Sequence, residues 1–186
     1  MPKVSEEHLA ARRAEILAGA RRAFAAHGYE GATVAKLEEE TGLSRGAIFN
    51  YFEDKLDLFM ALAAEDDRRW LADFDETGID GVLRRIAAED PAWSRVYIEV
   101  VRRTTTDPEF AARLEQAEPQ PEQRAAGRQI AELQKAGVLR DDVDRKAIAS
   151  LVNLLAYGLM MFNVVGEHAD IDAVLELVHR GIDAPK

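Results

Sequence analysis

Five polar side chains, Ser44, Arg45, Asn50, Tyr51 and Lys55, stand within twelve positions of one another. An arginine guanidinium can fork onto guanine and an asparagine amide onto adenine, so Arg45 and Asn50 carry groups able to read base edges in a DNA major groove. Gly46 and Ala47 between them are small enough for close approach, and a methyl such as that of Ala47 can touch a thymine methyl. Apolar Leu43, Ile48, Phe49 and Phe52 are interleaved with these polar residues. The stretch Gly42 to Lys55 reads as a turn, a very short helix, a stop and the start of a new helix. A helix this short cannot stand alone in water. Other helices must hold its apolar residues so that its polar face can meet something outside, and the chemistry points to DNA. A solvated charge is the plainer reading of Arg45, and partial packing that of Tyr51.

The preceding residues supply candidates for that support. From Ser5 to His27, apolar Leu9, Ile16, Leu17, Ala20 and Phe24 mark one face of an amphipathic helix. Gly28 suits a left-handed C-terminal cap. Thr33 is placed to cap a second helix, Val34 to Thr41, with Val34 and Leu37 facing inward. Gly42 ends it and Ser44 caps the third. Asp54 caps a fourth helix, with Asp57 in its first turn, running to about Asp73 and burying Leu58, Phe59, Leu62 and Trp70. Three short helices, a Gly-Leu-Ser turn and a long helix fit a helix-turn-helix, and equally a compact helical subdomain.

Beyond a break at Gly78–Gly81, Asp90-Pro91 and Asp107-Pro108 read as helix starts, with Asp as cap and Pro in the first turn. Trp93 to Thr106 lies between them. Pro119 and Pro121 predict a kink or loop. The helix that follows ends at Gly137, and Arg140 to Asp144 reads as a charged turn. Residues 147 to 165 are apolar nearly all round, and Ile171 to Ile182 is a second apolar helix. A helix with two apolar faces needs cover on two sides, one from its own chain and one from a partner chain. No strand-like alternation, internal repeat or low-complexity segment interrupts this all-α pattern of about nine helices.

Composition narrows the function. With no cysteine there is no disulfide framework or thiolate site. A net charge of -10 opposes nucleic-acid binding when taken as a sum, but residues 1 to 55 hold eight Lys/Arg and nine Asp/Glu, so about -9 falls on the rest. A nearly neutral head can still present a local basic face to phosphate. The N-terminus lacks a signal-peptide core, and the near-apolar run Leu151 to Val165 is shorter than the ~20 residues a bilayer requires. The expectation is a cytoplasmic protein with no membrane partner. His8, His27, His168 and His179 do not share a metal-binding spacing. No Ser/His/Asp grouping, glycine-rich phosphate loop or carboxylate pair is apparent, which leaves a small all-α enzyme poorly supported.

The runs Phe24 to Tyr29, Ala32 to Val34 and Thr41 to Lys55 resemble the DNA-binding domain of the TetR/AcrR family of bacterial repressors, without a gap over about residues 9 to 62. The opening MPKVSEEHLAARR and the string Glu30 to Glu39 are particularly similar to its actinobacterial aconitase-repressor group. The resemblance implies phosphate contacts from Thr33, Tyr51 and Lys55. It puts Ser44, Arg45, Gly46, Ala47 and Asn50 on the recognition helix, turned to double-stranded DNA. It divides the chain into a helix-turn-helix domain over 1–54 and an effector-binding and dimerisation domain over 55–186, with helix 55–76 connecting them. Glu38 departs from the family, which usually carries a small alanine there.

The resemblance further implies a homodimer that represses from a near-palindromic operator and responds to a small-molecule effector. Candidate pocket residues are polar groups on apolar helices: Glu99, Arg102, Arg103, Asn153 and Tyr157, with Asn163 beside them. Glu99 could instead pair with a neighbouring arginine, and Asn153 could fill a packing defect. The dimer interface is expected from Leu151, Leu155, Leu159, Phe162, Val174, Leu175 and Val178. For the aconitase-repressor group the implied effector is a citrate-type polycarboxylate, with a divalent metal as a possible companion. Arg102 or Arg103 would meet carboxylates and Glu99 the metal, although Asn153 and Tyr157 stand where acidic residues are expected. The alternative is a constitutive dimeric DNA binder with no effector.

Overall fold

The computed structural model describes residues 6–116 and 121–184, and between 121 and 126 the backbone alone. These residues form nine α-helices: α1 (Glu6–Gly31), α2 (Val34–Thr41), α3 (Arg45–Phe49), α4 (Lys55–Ala87), α5 (Pro91–Thr104), α6 (Pro108–Gln116), α7 (Pro121–Lys135), α8 (Arg145–Val165) and α9 (Ile171–Ile182). The expected disturbance at Pro119 lies outside the described residues, and Pro121 opens α7.

Caps set most of the boundaries. Thr33, Ser44, Asp54 and Asp90 each accept a backbone N–H from the first turn of the helix they precede. Asp107 does the same for Phe110 at the start of α6. Asp144, expected within a charged turn, caps α8 through the amides of Lys146 and Ala147. Gly42, Gly137 and Gly166 take the positive φ that ends a helix.

Two expectations about α1 and α4 need correction. Gly28 has φ 72 and ψ 175, which is not the left-handed cap conformation, and the helix resumes for a further turn to Gly31. Gly78 (φ 67, ψ -158) kinks α4 without ending it, and the chain stays helical to Ala87. Leu9, expected inside, is exposed.

Two hydrophobic cores result. The first joins Ile16, Leu17, Ala20 and Phe24 of α1 to Leu37, Ile48, Phe52, Leu58, Phe59 and Leu62, and to Trp93, Val96, Val100 and Phe110 from α5 and α6. The second gathers Ile79, Val82, Leu83 and Ile86 of the kinked half of α4 with Ile130, Ile148, Leu159, Met160, Leu175 and Val178. Tyr97 packs against both. α8 has 21 residues and is long and apolar enough to cross a membrane by length and composition, so the run is longer than the sequence expectation held. In the fold it packs on α4, α5 and α7, and leaves much of its apolar surface outside.

Candidate nucleic-acid interface

The third helix is five residues long and is held by what it buries. Ile48 is fully enclosed, Phe52 nearly so, and Leu43 and Phe49 pack against the same core. Ser44 accepts the Ala47 N–H at 3.4 Å, and the Asn50 N–H closes the last turn on the Gly46 carbonyl at 3.1 Å. With the apolar side fixed, Ser44, Arg45, Gly46 and Asn50 are exposed, while Ala47 and Tyr51 are half-buried. Tyr51 therefore packs on the core along one edge and keeps the other open. The Arg45 side chain has no ion-pair partner among the described residues, unlike Arg22, which meets Glu40 at 3.0 Å, and Lys36, which meets Glu39 at 2.8 Å. Thr33 is exposed and its hydroxyl accepts the Lys36 N–H, which leaves its proton free to donate outward.

Glu38 gains a physical explanation. Its carboxylate accepts the Arg45 N–H at 2.7 Å, satisfying an amide at the start of α3 that has no partner within the helix. Spacing along the sequence conceals this, because the partner lies seven residues on, across a turn. Thr41, almost buried, donates to the Leu37 carbonyl at 2.7 Å and accepts the Leu43 N–H at 3.2 Å, so it stiffens the same turn. Gly19 of α1 lies against it: a Cβ built on Gly19 would stand 2.6 Å from Thr41 Cγ2 and 2.8 Å from its Cα. Only the missing side chain lets α1 and α2 approach this closely.

Lys55 is the expected DNA contact that the structure turns inward. Its Nζ donates to the Tyr29 carbonyl at 2.8 Å and lies 4.5 Å from the centre of the Tyr29 ring. Burial holds its pKa below the usual lysine value, although Glu30 at 3.8 Å opposes the shift.

Three of the five expected pocket residues lie elsewhere. Glu99 accepts the N–H groups of Tyr29 at 2.7 Å and Glu30 at 2.9 Å, capping the turn that Gly28 releases. Arg102 is exposed. Arg103 bridges Glu30 at 2.6 Å and Asp107 at 2.9 Å and stacks over Phe110, so it ties α5 to the last turn of α1. Asn153 and Tyr157 do line a cavity of about 750 Å³, bounded by α4, α5, α7 and α8 and by Leu114 of α6. Its walls are mostly aromatic and aliphatic, including Phe59, Trp70, Phe74 and Tyr97, with Asp67 as the one ionisable group besides tyrosine among the described residues lining it. Asn163 donates to the Ile86 carbonyl at 2.9 Å and so ties α8 to α4.

Beside this cavity lies a buried polar junction that the sequence did not reveal. Asp66, 4% exposed, receives Arg21 of α1 at 2.6 Å and the Trp93 indole N–H at 2.8 Å, with the Tyr97 hydroxyl at 3.5 Å. The apolar spacing along α4 is silent here, because an aspartate in a helix ordinarily faces water.

The expected dimer face also divides. Leu159, Leu175 and Val178 are buried in the chain's own core and leave no surface for a partner. Leu151, Leu155 and Val174 are half-buried. Phe162 is exposed, and with it Leu154, Met161 and Val165 form a strip along α8, with Leu177 of α9 also exposed. Because α8 is apolar nearly all round, periodicity could not fix which side faced outward.

Known proteins resemble this arrangement. Residues 16–62 match the family model for bacterial regulatory proteins of the tetR family. The chain is 44% identical over 186 residues to the HTH-type transcriptional repressor Rv1474c of Mycobacterium tuberculosis, covering 98% of each chain. It is 40% identical over 189 residues to the HTH-type transcriptional repressor AcnR of Corynebacterium diphtheriae, covering 98% of this chain and 97% of the other. The solved structure of Salmonella enterica GusR superposes with a TM-score of 0.70 at 21% identity, over 96% of this chain and 97% of that one, which speaks for the fold.

Proposed function

The chain belongs to the TetR family of bacterial regulators, in its aconitase-repressor group, and from that premise we propose that it acts as a homodimer on a near-palindromic operator under control of a small molecule in the cavity. As a member it is a DNA-binding transcriptional repressor and not an enzyme. It works in the cytoplasm, where its DNA is.

The exposed strip on α8 carries this reading. On α8, Leu154 is 70% exposed and Val165 61%, with Met161 and Phe162 between them along the helix, and Leu177 of α9 is 67% exposed. Contiguous apolar surface of this kind marks an interaction site. A second copy covers it by twofold symmetry, each strip meeting its own counterpart. Two reading heads then face one DNA duplex, as operator palindromes require. Pairing also answers the acidity of the chain, since one short helix with few cations binds weakly by itself. Within each head, Arg45 and Asn50 read bases and Thr33 and Tyr51 meet phosphates.

The cavity has the size and largely apolar walls of a small-molecule site. A citrate-type polycarboxylate loses its expected receivers, because Arg102 and Arg103 do not face it. Among the described residues no cluster of His, Asp and Glu has the arrangement to hold a metal. The described walls favour an effector with a sizeable apolar body and a few polar groups that Tyr97, Asn153 and Tyr157 can meet. Thermal unfolding tests this, since a ligand stabilises the state it binds. A panel of aromatic and aliphatic metabolites should contain a stabilising compound that weakens or strengthens operator binding. Citrate with and without magnesium forms the contrasting arm. If no compound shifts unfolding, the protein is a constitutive repressor.

A further inference from the structure

One helix touches both the cavity and the reading head. Tyr97, Val100 and Val101 of α5 line the cavity. On the same helix Glu99 reaches the other way, to the amides of Tyr29 and Glu30. Those amides begin a new helical turn after Gly28, whose φ of 72 and ψ of 175 interrupt α1, so they have no intrahelical acceptor. The turn ends at Gly31, two residues before the Thr33 cap that starts the helix-turn-helix. A Cβ on Gly28 would lie 2.7 Å from Glu99 Oε2, so the carboxylate sits directly on the interruption. Lys55 and Arg103 grip the same turn from α4 and α5. The other end of α5 is pinned, because the Trp93 indole is bound to buried Asp66.

We infer that α5 carries the state of the cavity to the reading head, and that Glu99 is the positioning residue through which it does so. The inference rests on the ligand-responsive reading above. An occupant pressing on Tyr97 and Val100 displaces α5, and the pinned N-terminal end directs the displacement toward the end that holds Glu99. Hydrogen bonds at 2.7 and 2.9 Å are lost by about 3.6 Å, so a shift of less than about 1 Å frees the turn. The freed turn changes the angle at which α1 delivers the chain to α2, and hence the set of the recognition helix. Glu99 touches neither DNA nor effector; it transmits.

Cavity-filling substitutions supply an occupant without knowing the effector. Ala156→Trp places an indole in the cavity, and Val152→Phe is a smaller second filler should the first fail to fold. Hydrogen exchange of the full-length chain then reads the latch, and titration of a selected operator reads the head. Filling should speed exchange at Tyr29 and Glu30 by about tenfold or more, the scale of a lost hydrogen bond to a charged acceptor, while the amides of Leu17 to Phe24 keep their rates. Operator affinity should fall about fivefold or more in the parent background, and the fall should vanish when Glu99→Gln is already present. If affinity responds to filling while the Tyr29 and Glu30 amides do not, or falls equally in the Glu99→Gln background, the latch is wrong and ligand control stands. If those amides respond and affinity does not, the link from cavity to latch stands and ligand control of DNA binding is wrong.

Discussion

Gly19→Ala sets two effects of opposite sign against each other. In an ordinary helix interior, alanine for glycine gains about 1 kcal/mol. At Gly19 the new Cβ would stand 2.8 Å from Thr41 Cα and 3.0 Å from the Glu40 carbonyl oxygen. Carbon atoms in contact prefer roughly 3.5–4.0 Å, so the α2 backbone must retreat by roughly 0.7 Å or more. Rotation of Thr41 gives no relief, because its hydroxyl is held by Leu37 and Leu43 and its Cα does not rotate. Overpacking of this kind costs roughly 1–3 kcal/mol, enough to outweigh the helix gain. Taking the middle of that range, about 2 kcal/mol, against the helix gain of about 1 kcal/mol, the expected net loss is about 1 kcal/mol, and Tm should fall by roughly 2–4 °C for a chain of this size. Thr41 leads into Gly42 and α3, so operator affinity measured well below Tm should fall as well. Calorimetry and an operator titration report the two effects separately. A Tm that rises or holds within about 1 °C would mean that helix propensity won, and that α1 and α2 are not closely apposed here.

Gly46→Ala is the converse case, since nothing stands within 4 Å of a Cβ at that position. Thermal stability should hold or rise by up to about 1 kcal/mol, while operator affinity falls because the methyl projects toward DNA; unchanged affinity would move Gly46 off the interface. Arg45→Ala should cost roughly 1–3 kcal/mol at one base position and relax specificity there, as read by binding to operators varied base by base. Phe162→Glu should leave the protein folded but monomeric in sedimentation, with much weaker operator binding; a persistent dimer would place the interface elsewhere. His179 is held above its ordinary pKa chiefly by Asp183 at 3.1 Å, with Asp80 at 2.7 Å also contributing. Its folded pKa exceeds its unfolded one, so the added stability is present below about pH 6.5 and is lost as pH rises through the elevated value. The side chain is partly exposed, so the effect is a fraction of a kcal/mol. Urea midpoints of the parent should fall with rising pH relative to those of His179→Gln, and parallel curves would refute the assignment.

What could be read from the sequence was local. Thr33, Ser44, Asp54, Asp90 and Asp107 cap the helices they precede, because a cap needs only a polar side chain within two or three residues of its target. The Gly42 turn and the outward set of Arg45 and Asn50 follow from the apolar residues beside them. Hidden were the contacts between distant positions. Glu99 serves amides seventy and sixty-nine residues away, so the sequence offers for it only a ligand or a neighbouring arginine. Asp66 and Arg21 are forty-five residues apart and look like two surface charges until the fold buries the carboxylate. Gly19 carried no signal, since a glycine inside a helix gives no hint of what lies opposite. On α8 the apolar content is evident but its phase is not: Leu159, expected at a partner, is enclosed by its own chain, and Leu154 faces outward.

Selection of binding sites from random double-stranded DNA by the purified full-length protein tests the central claim most directly. Two copies joined along the α8 strip, each presenting Arg45 and Asn50 to a major groove, should enrich a near-palindrome. Its half-sites should be separated by about one helical turn or a multiple, roughly 34–36 Å each. Enrichment of a single unrepeated half-site would contradict the paired reading heads, and no enrichment at all would contradict the recognition helix itself.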